Sequence, residues 1–357
     1  MKELRLMKGN EAIAEAAIRA GVDGYFGYPI TPQSEVLEYL MSEKPHERTG
    51  MVVLQAESEI AAINMVYGAA ATGKRVMTSS SSPGISLKQE GISYIAGAEL
   101  PCLIVNIVRG GPGLGTIQPS QADYFQATKG GGHGDYRLIV LAPASVQEMA
   151  DFVELSFELA FKYRNPAMIL SDGLIGQMME KVYLSEQKER VSEFDPSWTT
   201  TGKTPDRERN IITSLDLEAS QQEIHNIHLQ SKYKKMEENE VRYETIDCDD
   251  ADYILVAYGS SARICQKTIQ IARKEGIKVG LVRPITLFPY PKKVISDLAD
   301  TVKGFLSVEM NAGQMVEDVR LAVNGKVKVE HFGRFGGVVH SPDEVLEALK
   351  QKIIGGK

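Results

Sequence analysis

The stretch Val52-Val53-Leu54-Gln55-Ala56-Glu57-Ser58-Glu59-Ile60-Ala61-Ala62-Ile63, carried on to Ser79-Ser80-Ser81-Ser82-Pro83-Gly84, decides the fold. Val52 to Ala56 has the β-branched and apolar content of a strand. Glu57-Ser58-Glu59 reads as an acidic turn. From Ile60 to Ala71 the residues are small or apolar on nearly every side, which predicts a helix buried all round. Arg75 to Thr78 is a second strand, and the serines with Pro83 and Gly84 signal a turn in front of another helix. A carboxylate, Glu59, thus opens one helix, and a hydroxyl-rich loop ends the next strand. Open parallel α/β sheets place their ligands at such strand ends. Glu59 has two readings at this level: a group at a ligand site, or a first-turn acid answering the helix dipole, worth well under ~1 kcal/mol when exposed.

Working outward, the N-terminal half alternates strands and helices. Ala12–Ala20 is a helix stopped by Gly21, and Tyr25–Tyr28 is a strand that breaks at Pro29-Ile30-Thr31-Pro32. Gln33–Ser42 and Ile85–Gly97 are helices. Pro101–Val108 is a buried strand running into Arg109-Gly110-Gly111-Pro112-Gly113, and Arg137–Ala142 and Ala167–Ser171 are strands around the helix Ser145–Lys162. This alternation predicts a mainly parallel sheet with helices on both faces, over residues 1–180. Residues 181–247 turn polar and loop-rich, an extended arm with one helix from Ser220 to about Glu240. His225 and His228 share a face of that helix and, without acid or Cys ligands nearby, read as solvated. A second α/β unit over residues 248–357 opens at Asp252-Tyr253-Ile254-Leu255-Val256 and closes with the helix Pro342–Lys352.

Bulk composition bounds the function. At 357 residues the chain has room for about two domains. A net charge of −7 argues against a polyanion surface, so nucleic acid is not expected as a partner. No apolar run is long enough for a membrane span, and Met1-Lys2-Glu3-Leu4-Arg5 does not resemble a signal peptide. Cys102, Cys248 and Cys265 lie far apart, which excludes a complete iron–sulfur or zinc site built from them and suits a reducing cytoplasm. Cys102, inside an apolar strand, reads as core packing.

Three strand-following loops each carry a group that a small anionic substrate wants. Thr31 sits between two prolines that fix the backbone around its hydroxyl. Arg109 opens into glycines that permit close backbone approach, and its guanidinium suits a two-point grip on a carboxylate. Glu59 is the third. Gly130-Gly131-Gly132-His133-Gly134-Asp135 lacks the spacing of a dinucleotide loop and precedes a strand, so a loop near an active site or subunit contact is the better reading. Gly259-Ser260-Ser261, between a strand and a helix, is a passable small-anion turn. No Ser/His/Asp triad, H-E-x-x-H or Walker sequence occurs.

Taken in order, Tyr28-Pro29-Ile30-Thr31-Pro32, Ser58-Glu59-Ile60-Ala61-Ala62 and Arg109-Gly110-Gly111-Pro112 resemble the α subunit of 2-oxoacid:ferredoxin oxidoreductases. Val282-Arg283-Pro284-Ile285-Thr286-Leu287-Phe288-Pro289, Val308-Glu309-Met310-Asn311 and Gly333-Arg334-Phe335-Gly336-Gly337 extend the resemblance to the C-terminal unit. It implies a thiamine-pyrophosphate enzyme. The first domain would be of the type that receives the cofactor's aminopyrimidine ring, and the last of the transketolase C-terminal type. Carried over residue by residue, Glu59 matches the glutamate that bonds the pyrimidine ring nitrogen. Thr31 and Arg109 match the residues that hold the substrate carboxylate. Pro29, Ile30, Ser81, Ser82 and Gly84 fall in segments that line the cofactor pocket.

The departures from the family pattern matter as well. Thiamine enzymes hold magnesium and diphosphate with Gly-Asp-Gly and, some two dozen residues on, paired asparagines. Here Ser171 precedes Asp172-Gly173, and the later region reads Asp195-Pro196-Ser197-Trp198. The resemblance therefore implies a β subunit carrying the diphosphate and Mg2+ site. It also implies a γ-type subunit and a ferredoxin-like δ subunit with [4Fe-4S] clusters, coenzyme A as cosubstrate and ferredoxin as acceptor. Trp198-Thr199-Thr200-Thr201-Gly202 and Asn239-Glu240-Val241-Arg242-Tyr243-Glu244 look most like the enzymes acting on branched acids such as 2-oxoisovalerate, with the 2-oxoglutarate enzymes as the near alternative. A non-catalytic scaffold subunit is the competing class. The intact set Thr31, Glu59 and Arg109 argues against it.

Overall fold

The computed structural model describes residues 3–190 and 194–355. In chain order, β1 (Glu3–Lys8), α1 (Gly9–Arg19), β2 (Gly24–Gly27), α2 (Ser34–Glu43), α3 (Pro45–Thr49), β3 (Val52–Gln55) and α4 (Glu59–Ala70) come first. Then follow β4 (Val76–Ser80), α5 (Ser82–Gly97), β5 (Leu103–Val108), α6 (Tyr124–Thr128), β6 (Ile139–Leu141) and α7 (Val146–Tyr163). The half ends with β7 (Ala167–Asp172), α8 (Gly173–Gln177) and β8 (Met179–Leu184), and the polar segment supplies α9 (Ala219–Asn239). Beyond it lie β9 (Tyr243–Ile246), β10 (Tyr253–Val256), α10 (Gly259–Lys274), β11 (Val279–Pro284), β12 (Thr286–Phe288) and α11 (Lys292–Leu298). The chain closes with β13 (Gly304–Glu309), α12 (Met315–Val323), β14 (Lys328–Gly333), α13 (Pro342–Leu349) and a π-helical turn, Lys350–Ile354.

The main sheet has the order β12-β6-β7-β5-β4-β2-β3 and is parallel except for β12, which runs antiparallel to β6. Its strands are apolar on both sides because helices cover both faces. Along β5, Leu103, Val105 and Ile107 point into the cluster with Ile13, Ile18, Leu40 and Phe157 of α1, α2 and α7. Ile104 and Val108 point the other way, into the cluster with Ile63 and Val66 of α4 and Ile85 and Ile92 of α5. The same alternation puts Val76 of β4 on the α4–α5 side and Met77 on the opposite one. The second sheet, β14-β13-β10-β11-β9, is parallel except for β9 and buries Leu255, Leu281, Leu306 and Val345. The parallel α/β architecture expected from strand–helix alternation is present in both sheets.

Several local expectations are corrected. α4 is not buried all round: Ile60, Asn64, Met65 and Gly68 are exposed on one side, because no element among the described residues covers that face. The serine run is not a loop. β4 continues through Ser80, and α5 already begins at Ser82, with Pro83 in its first turn. The polar segment does not stand away from the body, since α9 buries Leu229, Tyr233 and Met236 in the cluster shared with α5. His225 and His228 are not simply solvated. The His225 Nε2 lies 2.7 Å from the Gly97 carbonyl, and that of His228 lies 3.1 Å from Glu99, so the pair fastens α9 to the end of α5. Two further pieces were not expected. β1 and β8 form an antiparallel ribbon, and β12, which follows β11 of the second sheet, leaves that sheet to join the first. Among the described residues no helix is long and apolar enough to cross a membrane.

Candidate functional site

The site begins where β3 hands the chain to α4. Ser58 caps the helix, its hydroxyl accepting from Ala61 N–H at 3.2 Å, and this fixes Glu59 as the first helical residue with its side chain turned inward, 7 % exposed. The end of β4 and the first turn of α5 approach from the other side. A Cβ on Gly84 would lie 2.1 Å from Ser80 Oγ and 2.8 Å from Glu59 Oε1, so only glycine fits between them. The Ser80 and Ser81 hydroxyls are buried without a hydrogen-bond partner among the described residues. A buried polar group left unpaired costs ~1–3 kcal/mol, so two side by side mark a surface built for a ligand.

One helical turn beyond Gly84 stands Lys88, fully buried, whose Nζ donates to Thr78 Oγ1 at 2.9 Å. Burial pushes its ammonium down to about 8, with the Glu59 carboxylate opposing that fall. The sequence reading missed this residue. The signal was present, because Lys88 shares the stripe of Ile85, Ile92 and Ile95 on α5.

Arg109 follows β5 and is buried, 8 % exposed, so it is not a surface charge. It donates through Nη1 to the Thr31 carbonyl and through Nη2 to the Leu114 carbonyl, each at 2.9 Å, while Nε has no partner among the described residues. Ser82 joins the group from α5: its hydroxyl accepts from the Arg109 N–H at 3.1 Å. Thr31, Ser82 and Arg109 are thereby brought together, although the Thr31 side chain, like Pro29, is exposed and Ile30 is half-buried. Behind Ser82 lies Asp123, which accepts from Asn106 Nδ2 at 2.9 Å and whose carboxyl burial pushes up. The run Ser80–Gly84 therefore lies against Glu59 at Gly84 and bonds Arg109 at Ser82.

The C-terminal unit closes one side of this arrangement. A Cβ on Gly110 would lie 2.9 Å from the Gly337 nitrogen, and one on Gly337 only 2.5 Å from Gln118 Cβ, which explains the paired glycines Gly336-Gly337 against the Arg109 loop. Gln121 locks the same contact, accepting from Met310 N–H at 2.9 Å and donating to the Tyr258 carbonyl at 2.9 Å. Glu309 serves α12, taking backbone N–H groups of Gln314, Met315 and Val316. Arg283 makes a forked pair with Glu148 at 2.8 Å on both arms.

Two other candidates change character. The Gly259-Ser260-Ser261 turn already holds an anion, the protein's own Asp172, which accepts from Ser260 Oγ at 2.6 Å and from Ser260 N–H at 3.2 Å. Asp172 also caps α8 through Leu174 and Ile175 N–H. It thus joins the two units through both carboxyl oxygens. No cluster of metal-ligating side chains occurs among the described residues. The Gly130–Asp135 loop packs on α5 and α9, where the His133 carbonyl accepts from Ser93 and the Asp135 carbonyl from Gln230.

Comparison with known proteins follows the same division. Residues 15–247 match the family described as pyruvate flavodoxin/ferredoxin oxidoreductase, thiamine diphosphate-binding, and residues 251–345 match pyruvate:ferredoxin oxidoreductase core domain II. The chain is 52% identical over 347 residues to the ketoisovalerate oxidoreductase subunit VorB of Methanothermobacter thermautotrophicus, covering 97% of each chain. It is 36% identical over 382 residues to the 2-oxoglutarate synthase subunit KorA of Methanothermobacter marburgensis, covering 100% of each. Among solved structures, a 2-oxoglutarate:ferredoxin oxidoreductase from Magnetococcus marinus with 2-oxoglutarate, coenzyme A and succinyl-CoA bound superposes with a TM-score of 0.85 at 26% identity. That match covers 98% of this chain and 65% of the longer one. A split-gene transketolase, at 13% identity and a TM-score of 0.61, shares the fold.

Proposed function

Because the chain belongs to the 2-oxoacid:ferredoxin oxidoreductase family, we propose that it is the α subunit of a multi-subunit enzyme that oxidatively decarboxylates a branched 2-oxo acid, 2-oxoisovalerate or a near relative, to its acyl-CoA. The observation that carries this reading is the close approach of Glu59 and Ser80 to Gly84, with the Ser80 and Ser81 hydroxyls orphaned and Arg109, bonded to Thr31, meeting the same run at Ser82. Those orphaned atoms and the glycine cradle fit the aminopyrimidine end of thiamine pyrophosphate.

Thiamine pyrophosphate, when bound, would supply a nucleophilic carbon and an electron sink for decarboxylation of a 2-oxo acid. Glu59 holds a proton between its carboxyl oxygen and the pyrimidine nitrogen. Ser81, Ser82 and Gly84 wall the ring, with Pro29 and Ile30 on the β2 side. Arg109 and Thr31 orient the substrate carboxylate so that the bond to be broken is fixed in space. The apolar floor of α4 and α5 keeps water from the ring.

The engagement of Asp172 supports a division of labour in which a β subunit holds the diphosphate and Mg2+. On this reading γ-type and ferredoxin-like δ subunits bring the remaining parts, with [4Fe-4S] clusters on the partners, ferredoxin as acceptor, and a cytoplasmic setting. The branched substrate is favoured over 2-oxoglutarate because relatives named for ketoisovalerate match at 52% and those named for 2-oxoglutarate at 36%. The test is co-purification with the products of adjacent reading frames and assay with both acids. A kcat/KM for 2-oxoisovalerate at least ~10-fold above that for 2-oxoglutarate is expected, and the reverse order overturns the substrate assignment.

A further inference from the structure

We infer that Lys88 is a positioning residue for Glu59: its buried ammonium, anchored on Thr78, balances the charge of the Glu59 carboxylate and keeps it turned toward Gly84 and Ser80. The inference rests on the proposed role of Glu59 toward the pyrimidine ring.

The geometry is that of two stacked layers between α4, α5 and β4. Thr78 and Ser80 are two apart on β4 and point to the same side as Val76, toward α4 and α5. Gly84 and Lys88 are four apart on α5 and share a face. The upper layer is Gly84 with Glu59 and Ser80 closing on it from either side. The lower layer is Thr78 and Lys88, joined at 2.9 Å. Lys88 therefore stands one helical turn on from Gly84, in the layer next to the carboxylate.

A lysine in this place needs a reason. Long cationic side chains on helices ordinarily reach water with their tips, yet Lys88 is fully buried. Among the described residues its hydrogen-bond acceptor is a neutral hydroxyl, which does not offset the cost of a buried charge. Of the elements around it, α4 presents Glu59, β4 presents Thr78 and Ser80, β5 presents Asn106, and the turn into α6 presents Asp123, which is engaged by Asn106 and Ser82. Glu59 is the charge that acts on Lys88. The two do not touch through a hydrogen bond, so the attraction acts across the layer and leaves the carboxylate oxygens free for a ligand.

Two measurements test this. In the full chain without cofactor, the Cε resonance of Lys88 is followed against pH by NMR with labelled lysine. It is expected to titrate near 8 and, in Glu59→Gln, at a lower pH, because the charge that holds the proton is gone. An unchanged titration overturns the pairing. In the complex reconstituted with partner subunits and thiamine pyrophosphate, cofactor C2 proton exchange is followed against pH. Lys88→Met is expected to lower it at least ~10-fold and remove an alkaline limb near 8, while Lys88→Arg keeps most exchange and moves that limb upward. A wild-type profile in Lys88→Met overturns the positioning role. If Lys88→Met does not fold, the arginine profile and the NMR titration decide. Should Glu59→Gln leave C2 exchange intact while the lysine titration moves, the thiamine reading fails and the pairing stands. The opposite pattern fails the pairing alone.

Discussion

Arg109 donates to the main-chain carbonyl of Thr31 at 2.9 Å, so the two residues assigned to the substrate carboxylate form one mechanical unit across two strand ends. The second guanidinium nitrogen is spent on Leu114, and Nε is buried with no partner among the described residues. Arg109 is thus at once a brace for the 110–118 loop and a cation with donors to spare.

Replacing Arg109 by Met keeps the length and removes both functions. The kcat/KM for every 2-oxo acid is expected to fall at least ~10-fold, since a hydrogen bond to a charged group is worth ~1.5–3 kcal/mol. Thr31→Val costs less, because its carbonyl, not its hydroxyl, braces Arg109. Cofactor affinity stays as it is in both. If Arg109→Met disrupts subunit assembly and the remaining complex has normal kinetics, Arg109 is an interface residue.

Glu59→Gln preserves shape and removes the acid–base group. C2 proton exchange in the reconstituted complex is expected to drop by ~10²–10⁴-fold while circular dichroism and assembly are unaltered. Unchanged exchange returns Glu59 to a helix-dipole role.

Gly84→Ala is the steric counterpart. Its methyl group would sit on Ser80 Oγ and Glu59 Oε1, so the carboxylate has to move or α5 has to shift. Overpacking of this kind costs ~1–3 kcal/mol, and a lower melting temperature with weakened cofactor binding is the expected result. The double change Gly84→Ala with Ser80→Gly relieves the closer contact and is expected to recover stability before it recovers exchange.

The purified chain alone is expected to show no turnover with thiamine pyrophosphate, coenzyme A, a 2-oxo acid and an electron acceptor, and to bind the cofactor weakly by calorimetry. Asp172 is the reason: its oxygens already serve Leu174, Ile175 and Ser260. Turnover by the isolated chain would sink the division of labour between subunits.

His340 gives a stability signal that is independent of the active site. Burial pushes its imidazole down to about 4 from an ordinary 6.5, and neither ring nitrogen has a hydrogen-bond partner among the described residues. Between those values the unfolded chain takes up a proton that the folded chain refuses. Stability is therefore complete above pH 6.5 and falls as the pH drops toward 4, by up to ~3 kcal/mol. Urea midpoints at pH 7 and pH 5 measure it, and His340→Phe is expected to flatten the difference.

How far the sequence carried the reading depends on how local each feature is. Strand–helix alternation and the strand-end motifs are local, so the parallel sheets and the places of Glu59, Thr31 and Arg109 could be read from them. The exposed side of α4 could not, because an apolar helix looks the same whether its cover comes from its own chain or another. Lys88 lies in Leu87-Lys88-Gln89-Glu90, which reads as a solvated turn until the apolar stripe through Ile85 and Ile92 is followed. The engagement of Asp172 by Ser260 spans 88 residues, and no spacing rule reaches across that distance. β12 is three residues between prolines, too short to stand out as a strand.

That short strand limits how this protein can be cut. Thr286 and Phe288 pair with Leu141 and Val140, so the outermost edge of the first sheet is supplied by sequence far beyond the arm. A fragment ending near residue 247 would present β6 as a bare edge, with unpaired N–H and C=O groups next to apolar side chains, a template for edge-to-edge aggregation. The C-terminal fragment would carry an orphan strand with no sheet to join. Expression in halves should therefore fail for reasons of topology, even though each half has a sheet of its own.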